Sequence, residues 1–471
     1  MNFEKIDRYL EDHLEELLQD LSVLVSINSE RTEALPGMPF GKGNADCCAA
    51  AMPIVEKCGL KVTNYDNYVI TGDLMDEKER GLDILAHLDV VPAGDGWSIT
   101  TPFEMKVLDG KVYGRGTSDD KGPALCALYA MRAIKELGLP LNKSVRLILG
   151  FDEECGSSDL KYYFQKETSA PFSLSPDADF PMINIEKGGL RSGFQVEAKI
   201  AEQLPRVLSF DSGVKTNVIP DKATAKVEGL DAEAVLTIAN ALPGMDGITF
   251  SCREENGALT VEARGLTGHA AHPQSAHNAL TALLALLAAL PLSEAPIHEH
   301  IKAVSALFPH GDCFGGGLGV DMEDEVSGKT VLSLTICHLS EENGFSGTFD
   351  CRACLSANDT NTTDVIHGKF RDAGLGYDDS RKMFEPHYVP EDSQLVQTLM
   401  DVYEDMTGSR PKPLCIGGGT YVHRIENGVA FGCGFADLNN NVHSADEFMT
   451  LDQIRFSCRI YARAILALCG E

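Results

Sequence analysis

Positive charge is scarce in this sequence. Its 471 residues carry 40 lysines and arginines against 70 aspartates and glutamates, a net charge of −30. A surface of that sign repels the phosphates of nucleic acids and anionic membranes, so neither is expected as a partner. Its ordinary use is solubility, and an acidic rim can also draw in cationic amino termini or metal ions. Long apolar runs are missing too. The longest, Ala279 to Leu292, is interrupted by Thr281 and Pro291 and is too short to cross a bilayer, so it reads as a buried helix. The opening MNFEKIDRYLEDHLEELLQDL is a charged amphipathic pattern with no signal-peptide core. The 14 cysteines show no regular spacing, in a chain far larger than disulfide-stapled scaffolds. Reduced thiols and a cytoplasmic location are therefore expected. Solenoid repeats and low-complexity linkers are absent.

What is present is the composition of a globular protein, 44% hydrophobic and 23% charged, long enough for two or three domains. Ile6, Leu10, Leu14, Leu17 and Leu21 recur at helical spacing. Strand-like runs follow at Tyr68–Leu74, Leu82–Val91 and Ser144–Phe151, with a helical stretch over Pro123–Leu137. Strands alternating with helices predict an α/β domain with a doubly wound, mostly parallel sheet. Near Gly188–Gly189 the texture changes to strand pairs such as Ala223–Val227 and Leu259–Arg264, with helices at Ala232–Ala241 and Ala276–Leu290. This predicts an inserted α+β domain. Alternation then returns, with a helix over Asp392–Met406, a Gly417–Gly419 turn, and a capping-box pattern at Thr450 and Gln453. The expected boundaries are 1–187 and 383–471 for the two parts of the first domain and 188–382 for the insertion.

Five acidic and histidine motifs carry the chemistry: His87-Leu88-Asp89, Ser118-Asp119-Asp120-Lys121-Gly122, Asp152-Glu153-Glu154, Pro176-Asp177 and Val442-His443. Imidazoles mixed with carboxylates suit zinc, manganese or cobalt. His87 and Asp89 stand two apart in the strand-like run Ile84–Val91 and are expected on one face. A carboxylate beside an imidazole can take its second N–H and raise its basicity as a ligand. A carboxylate on the Gly-punctuated turn before the second helix, at Asp119 or Asp120, can bridge two ions through its two oxygens. Turn chemistry alone also accounts for Asp and Gly there. Three adjacent acids at a strand end repel one another unless a cation is close, and successive side chains diverge, so one glutamate can ligate while its neighbour meets water.

In their order these motifs resemble the dinuclear zinc peptidases and deacylases of the aminoacylase and carboxypeptidase-G type, and within them the peptidase V-type dipeptidases. The resemblance implies that His87, Asp119 and Asp177 hold one ion and Asp119, Glu154 and His443 the other, two divalent metals in all. Zinc is the first choice, with manganese or cobalt as alternatives. It makes Glu153 the general base and Asp89 the residue that orients His87. Two metals about 3.5–4 Å apart lower the pKa of a shared water toward about 7. The inserted domain becomes a lid, with His269 of Gly268-His269-Ala270-Ala271-His272 as transition-state donor and His272 as runner-up. Asn217 is implied as a lid residue for substrate or oxyanion, Arg352 as the clasp on a substrate carboxylate, and Gly417, Gly418 and Gly419 as the loop lining that end. A solvated strand arginine and a simple turn are the plainer alternatives for Arg352 and the glycines. A long lid completing the site within one chain implies a monomer.

Aspartate where Asp177 stands goes, in that family, with recognition of a free substrate amino group, whereas glutamate goes with carboxypeptidases and deacylases. The expected activity is therefore hydrolysis of dipeptides. Deacylation of N-acyl or N-succinyl amino acids is the alternative within the family, and a non-catalytic metal- or peptide-binding relative the alternative outside it. The Cys351-Arg352-Ala353-Cys354 spacing has no second pair and reads as structural. Cys47 and Cys48 read as helix-packing residues, and Cys155 as a point of oxidation beside the acidic pair.

Overall fold

The computed structural model describes residues 3–197 and 199–470. The chain forms two compact units: Met1–Glu186 with His387–Cys415 and Gly419–Glu471, and Lys187–Pro386 with Ile416–Gly418.

The first unit is built on a sheet ordered Lys61–Tyr65, Val69–Leu74, Ser144–Gly150, Arg80–His87, Phe172–Ser175, Gly428–Ala430, Ile183–Glu186 and His387–Tyr388. The four strands from Ser144–Gly150 to Gly428–Ala430 run parallel. Both flanks are antiparallel, so the α/β sheet is mixed, with its parallel part at the centre. The chain dictates this at one edge. Asp66 and Asn67 both take left-handed φ, 54° and 60°, the conformation that turns a hairpin with the natural twist. The central strands are buried almost along their whole length, and the helices Lys42–Lys57, Lys121–Glu136 and Leu451–Cys469 pack on the sheet. Within it Arg146 holds Asp83 through two nitrogens at 2.8 and 2.6 Å, a buried pair that satisfies both ions. The amino-terminal apolar stripe is divided at His13 into helices Phe3–Asp12 and Leu14–Val25. At the other end Thr450 and Gln453 form the expected capping box on Leu451–Cys469.

The second unit is an eight-stranded, wholly antiparallel sheet, ordered Thr249–Glu255, Ala258–Arg264, Lys222–Glu228, Arg206–Ser212, Val331–Ser340, Gly344–Ala353, Gly188–Val196 and Gly376–Tyr377. Lys222–Glu228 and Ala258–Arg264 alternate buried and open residues, as strands packed on one face do. The helix Ala279–Ala289 lies on this sheet, and its Leu280, Leu283, Leu284, Leu286 and Leu287 are buried. A two-stranded pair, Val218–Ile219 with Gly268–His269, stands beside it. Cys351 and Cys354 are buried free thiols.

Candidate metal centre

Three parallel neighbours of the first unit end on the same edge of the sheet, and each end carries an acid or an imidazole. His87 is the last residue of Arg80–His87, Glu153 and Glu154 follow Ser144–Gly150, and Asp177 lies two residues beyond Phe172–Ser175. The carboxyl end of parallel strands is where open α/β sheets place their sites. Asp119 stands on the turn entering the helix Lys121–Glu136. His443 comes from the loop before the last helix, in left-handed backbone at φ 61°. That costly conformation for a residue with a Cβ is held by its surroundings. Asn440 bonds Phe448 O at 2.8 Å, and the Asp446 carboxylate accepts from Ser98 N at 2.9 Å and Ile99 N at 3.0 Å.

The side chains converge. His87 Nε2 lies 3.0 Å from Asp119 Oδ1 and 3.6 Å from Asp177 Oδ2. His443 Nε2 lies 2.9 Å from Asp119 Oδ2 and 3.1 Å from Glu154 Oε1. Two sets of three, His87–Asp119–Asp177 and Asp119–Glu154–His443, each offer ligand atoms within 4.8 Å of one another. Asp119 belongs to both, with one oxygen turned to each imidazole. His87 Nε2 is buried and, although close to Asp119, does not align with it as a hydrogen bond. Two atoms aimed at a common point rather than at each other have this geometry, and it fits a ligand set.

The electrostatics tell of a crowd of acids without enough counter-charge. Burial, then the neighbouring Asp119 charge, raises both Glu154 and Asp177. Burial also pushes Glu153 well above the usual carboxylate range, with Asp177 and Glu154 adding to it against the pull of His87. Burial alone would raise Asp119, yet His443 and His87 hold it well below. Hydrogen bonds to Asp119 and Glu154 push His443 up to about 11. His87 rises well above its ordinary value despite its burial, because Asp119, Asp177 and Asp89 surround it. Both imidazoles are thus drawn toward their charged forms by the acids around them, a call for positive charge that a dication would meet.

Asp89 is placed otherwise than its spacing predicts. The strand ends at His87, and the nearest atom of Asp89 to His87 Nδ1 is its backbone carbonyl, at 3.0 Å, with Oδ1 at 3.4 Å. Its two carboxylate oxygens accept from Glu153 N at 3.2 Å and Glu154 N at 3.1 Å. Asp89 therefore fixes the ring of His87 and the turn of the glutamates together.

Glu447 escapes a reading of the sequence, and Arg115, Asp120 and Lys121, though in or beside the motif, take supporting roles it did not assign. The Glu447 carboxylate, fully buried, accepts from Arg115 at 2.6 Å and from the amides of Gly116, Ser118 and Asp119 at 2.9–3.2 Å, and so holds the turn that carries Asp119. Asp120 accepts His87 N at 3.1 Å, and burial pushes its carboxyl well up. Lys121 Nζ donates to Leu24 O and Ile27 O at 2.9 and 3.0 Å. The only local signals were a buried-type helix start and an arginine between glycines. Cys155 is exposed, but burial of its sulfur and the charges of Asp152 and Asp89 push the thiol up, which lowers its share of reactive thiolate.

The second unit holds the other expected residues except Gly419, which lies in the first. His269 pairs with Val218 across the short ladder, next to Asn217, whose carbonyl accepts Ala270 N at 2.9 Å. Ala271 N donates to His269 Nδ1 at 3.2 Å, which leaves the ring proton on Nε2 in the neutral imidazole. His272 is exposed, and its amide bonds His269 O at 2.9 Å. Arg352 is buried. Its Nε and Nη2 reach Asp350 at 2.5 and 3.0 Å, and its Nη1 donates to Gly417 O. The arginine thereby anchors the glycine loop, where a Cβ on Gly417 would press on Ala271 and Arg352.

The description "Peptidase family M20/M25/M40" matches residues 84–467. The protein YtjP of Bacillus subtilis (strain 168) is 34% identical over 96% of this chain and 97% of its own. The Beta-Ala-Xaa dipeptidase of Lactobacillus delbrueckii subsp. lactis is 32% identical over 99% and 98%. Among solved structures, human carnosine dipeptidase 1 matches with a TM-score of 0.60 at 18% identity over 99% of each chain. The aminoacylhistidine dipeptidase of Vibrio alginolyticus matches with 0.58 at 14% identity over 96% of each. These two share its fold.

Proposed function

The chain belongs to the peptidase family M20/M25/M40, and from that premise we propose that it is a dinuclear metallo-dipeptidase hydrolysing the amide bond of dipeptides with a free amino terminus. The observation that carries the reading is Asp119, whose two oxygens face His87 and His443 in two ligand sets. The Lactobacillus relative, a dipeptidase by name and alignable along nearly the whole chain, supports the substrate class.

In this reading His87, Asp119 and Asp177 hold one ion, and Asp119, Glu154 and His443 the other. Imidazole and carboxylate together favour zinc, and the same donors accept manganese or cobalt. The pair, when bound, supplies positive charge that acidifies water toward a pKa of about 7 and polarises the scissile carbonyl. Glu153 takes up the proton of the attacking water on its carboxylate and returns it to the departing amine. Its raised affinity for protons suits that exchange. Asp89 holds Glu153 and Glu154 by their amides. Asp177 discriminates for a free amino group over an acylated one.

The second unit acts as the lid in this proposal, over the boundaries 188–382 expected from the sequence. His269 donates from Nε2 to the carbonyl oxygen as charge grows on it, work commonly worth about 3–4 kcal/mol. Asn217 assists at the same end. Arg352 spends Nε, Nη2 and Nη1 bonds on Asp350 and Gly417, leaving two of its five N–H groups for the substrate carboxylate beside the Gly417–Gly418–Gly419 backbone. The chain works as a monomer in the cytoplasm, its cysteines reduced. Among the described residues, no helix is long and apolar enough to cross a membrane.

Product analysis on free dipeptides, tripeptides and N-acyl amino acids, each with chelator and with added zinc or manganese, tests the reading. Metal-dependent cleavage confined to dipeptides is expected. Cleavage of acylated substrates overturns the role of Asp177, and no cleavage with any metal overturns the catalytic reading as a whole.

A further inference from the structure

A glutamate on an untethered turn has no fixed position, and Glu153 and Glu154 lie on the turn beyond Ser144–Gly150. Four successive amides of that turn are nevertheless held, by two buried carboxylates. Asp89 takes those of Glu153 and Glu154. Asp159 Oδ2 takes those of Phe151 and Asp152, at 2.7 and 2.9 Å. Asp152 closes the outer side, accepting from Arg31 at 2.6 Å and Ser158 N at 3.1 Å.

Asp159 is fully buried, and the hydroxyl of Tyr421 donates to the same oxygen that holds the two amides. Burial and the charge of Asp89 raise the Asp159 carboxyl to about 7. The tyrosine hydroxyl, donating to the carboxylate, works against that rise. Tyr421 itself is fixed. It opens the turn Tyr421–Arg424, whose cap residue Thr420 bonds Glu186 through its amide at 3.1 Å and its hydroxyl at 2.8 Å. Its ring stands edge-on to His87, with centroids 6.1 Å apart. Gly150 admits the pair, since a Cβ there would collide with both Tyr421 Oη and Asp159 Oδ2.

We propose that Tyr421 and Asp159 are positioning residues for Glu153, pinning the turn from Phe151 to Glu154 so that the Glu153 carboxyl stands at a fixed height over the ligand cluster. The proposal rests on the reading of Glu153 as the proton carrier. Tyr421 lies two residues beyond Gly419, so the segment leaving the glycine loop and the turn bearing Glu153 share one hydrogen-bonded support. Neither residue belongs to either candidate ligand set, and both side chains are buried. Their effect is on geometry, where an error of about 1 Å costs on the order of 100-fold in rate.

The test uses Tyr421→Phe, which keeps the ring, and Asp159→Asn, which keeps an oxygen for the amides, beside Glu153→Gln. For each, kcat and KM on a cleaved dipeptide, bound metal by mass spectrometry and the melting temperature are measured. Tyr421→Phe is expected to lower kcat about tenfold, a fraction of the full cost of misplacement, with KM within about twofold and metal content unchanged. The double variant should be no slower than the slower single one, as for residues acting as one unit. Full kcat in both single variants, a rise in KM at unchanged kcat, or metal loss matching the lost turnover would each overturn the proposal. Glu153→Gln separates the two levels. If it stays active, the reading of Glu153 fails and the proposal with it. If it is inactive while Tyr421→Phe is fully active, only the positioning role fails.

Discussion

The buried pair of Arg115 and Glu447 offers a test in which the two halves of one contact are unequal. The two side chains meet at 2.6 Å with both essentially fully buried, and Glu447 accepts three backbone amides of the turn carrying Asp119. Burial, then the charge of Asp119, raises the Glu447 carboxyl to about 7, against the opposing guanidinium. Remove that guanidinium, by Arg115→Met, and the carboxyl rises further, protonates and escapes the cost of a lone buried charge. Glu447→Gln leaves a guanidinium that cannot lose its proton. It also turns an amide NH₂ toward groups that are themselves donors. Breaking a buried pair so that a charge stays behind costs about 3–5 kcal/mol. Loss of one buried hydrogen bond without a stranded charge costs about 1–3 kcal/mol. Glu447→Gln should therefore lower the melting temperature of the metal-free protein by about 6 °C or more, since each kcal/mol is worth about 2–4 °C in a unit of this size. Arg115→Met should cost visibly less. Glu447→Gln should also weaken metal binding about 10–100-fold, because the amide it releases belongs to Asp119. Calorimetric scans with chelator, and competition with a chromogenic chelator, give both quantities. A reversed order, or both variants within about 1 kcal/mol of the parent, would refute the argument from unequal protonation.

Metal uptake should release protons. His443, held at about 11 by Asp119 and Glu154, is protonated at pH 8 in the metal-free protein and must be neutral to ligate. The apparent binding enthalpy of zinc should then vary with the ionisation enthalpy of the buffer, and affinity should rise with pH; equal enthalpies in phosphate and Tris would refute this. Asp159, raised to about 7 from an ordinary 3.8, binds its proton more tightly folded than unfolded. Its contribution to stability is thus present below about pH 4 and lost as pH rises through about 7. Urea melts of metal-free protein should show a smaller decline over that window in Asp159→Asn, and an unchanged decline would refute the assignment. Gly150→Ala drives a methyl group into Tyr421 and Asp159. It should cost about 1–3 kcal/mol, as overpacking does, together with most of the turnover, and a variant with parental melting temperature and rate would show that the pair can yield.

Much of this arrangement was legible because strands have a period of two and because parallel strands end together. The apolar runs before His87 and Glu153 marked central strands, and their ends located the residues that the structure gathers into two candidate ligand sets. The helix Ala232–Ala241 lies where its pattern placed it. The flanks of the first sheet were not legible as antiparallel, since the hairpin at Asp66 and Asn67 lacks a glycine to announce it. Asp89 gave a spacing and, by resemblance, a role in orienting His87. Its service to Glu153 and Glu154, 64 and 65 residues away, has no local trace. The same holds for Glu447, 332 residues from Arg115, and for Tyr421, 262 residues from Asp159. Single buried carboxylates paired over such distances look in sequence like any other acid. The resemblance offered Arg352 as a clasp on substrate, but its commitment to Asp350 was not legible, since a partner two residues along one strand is an ordinary polar neighbour until the fold buries both.

Glu186 and His387, the last residue before the inserted unit and the first after it, are direct partners in one antiparallel ladder. Their Cα atoms are therefore about 5 Å apart, and two hundred residues leave and return through a single rung. The ladder thus keeps its register across the point of insertion. The five proposed ligand residues all lie in the parent unit, outside the insertion. A short turn in place of residues 187–386 would keep all five in one shorter chain, in which the proposed metal binding can be measured without the insertion.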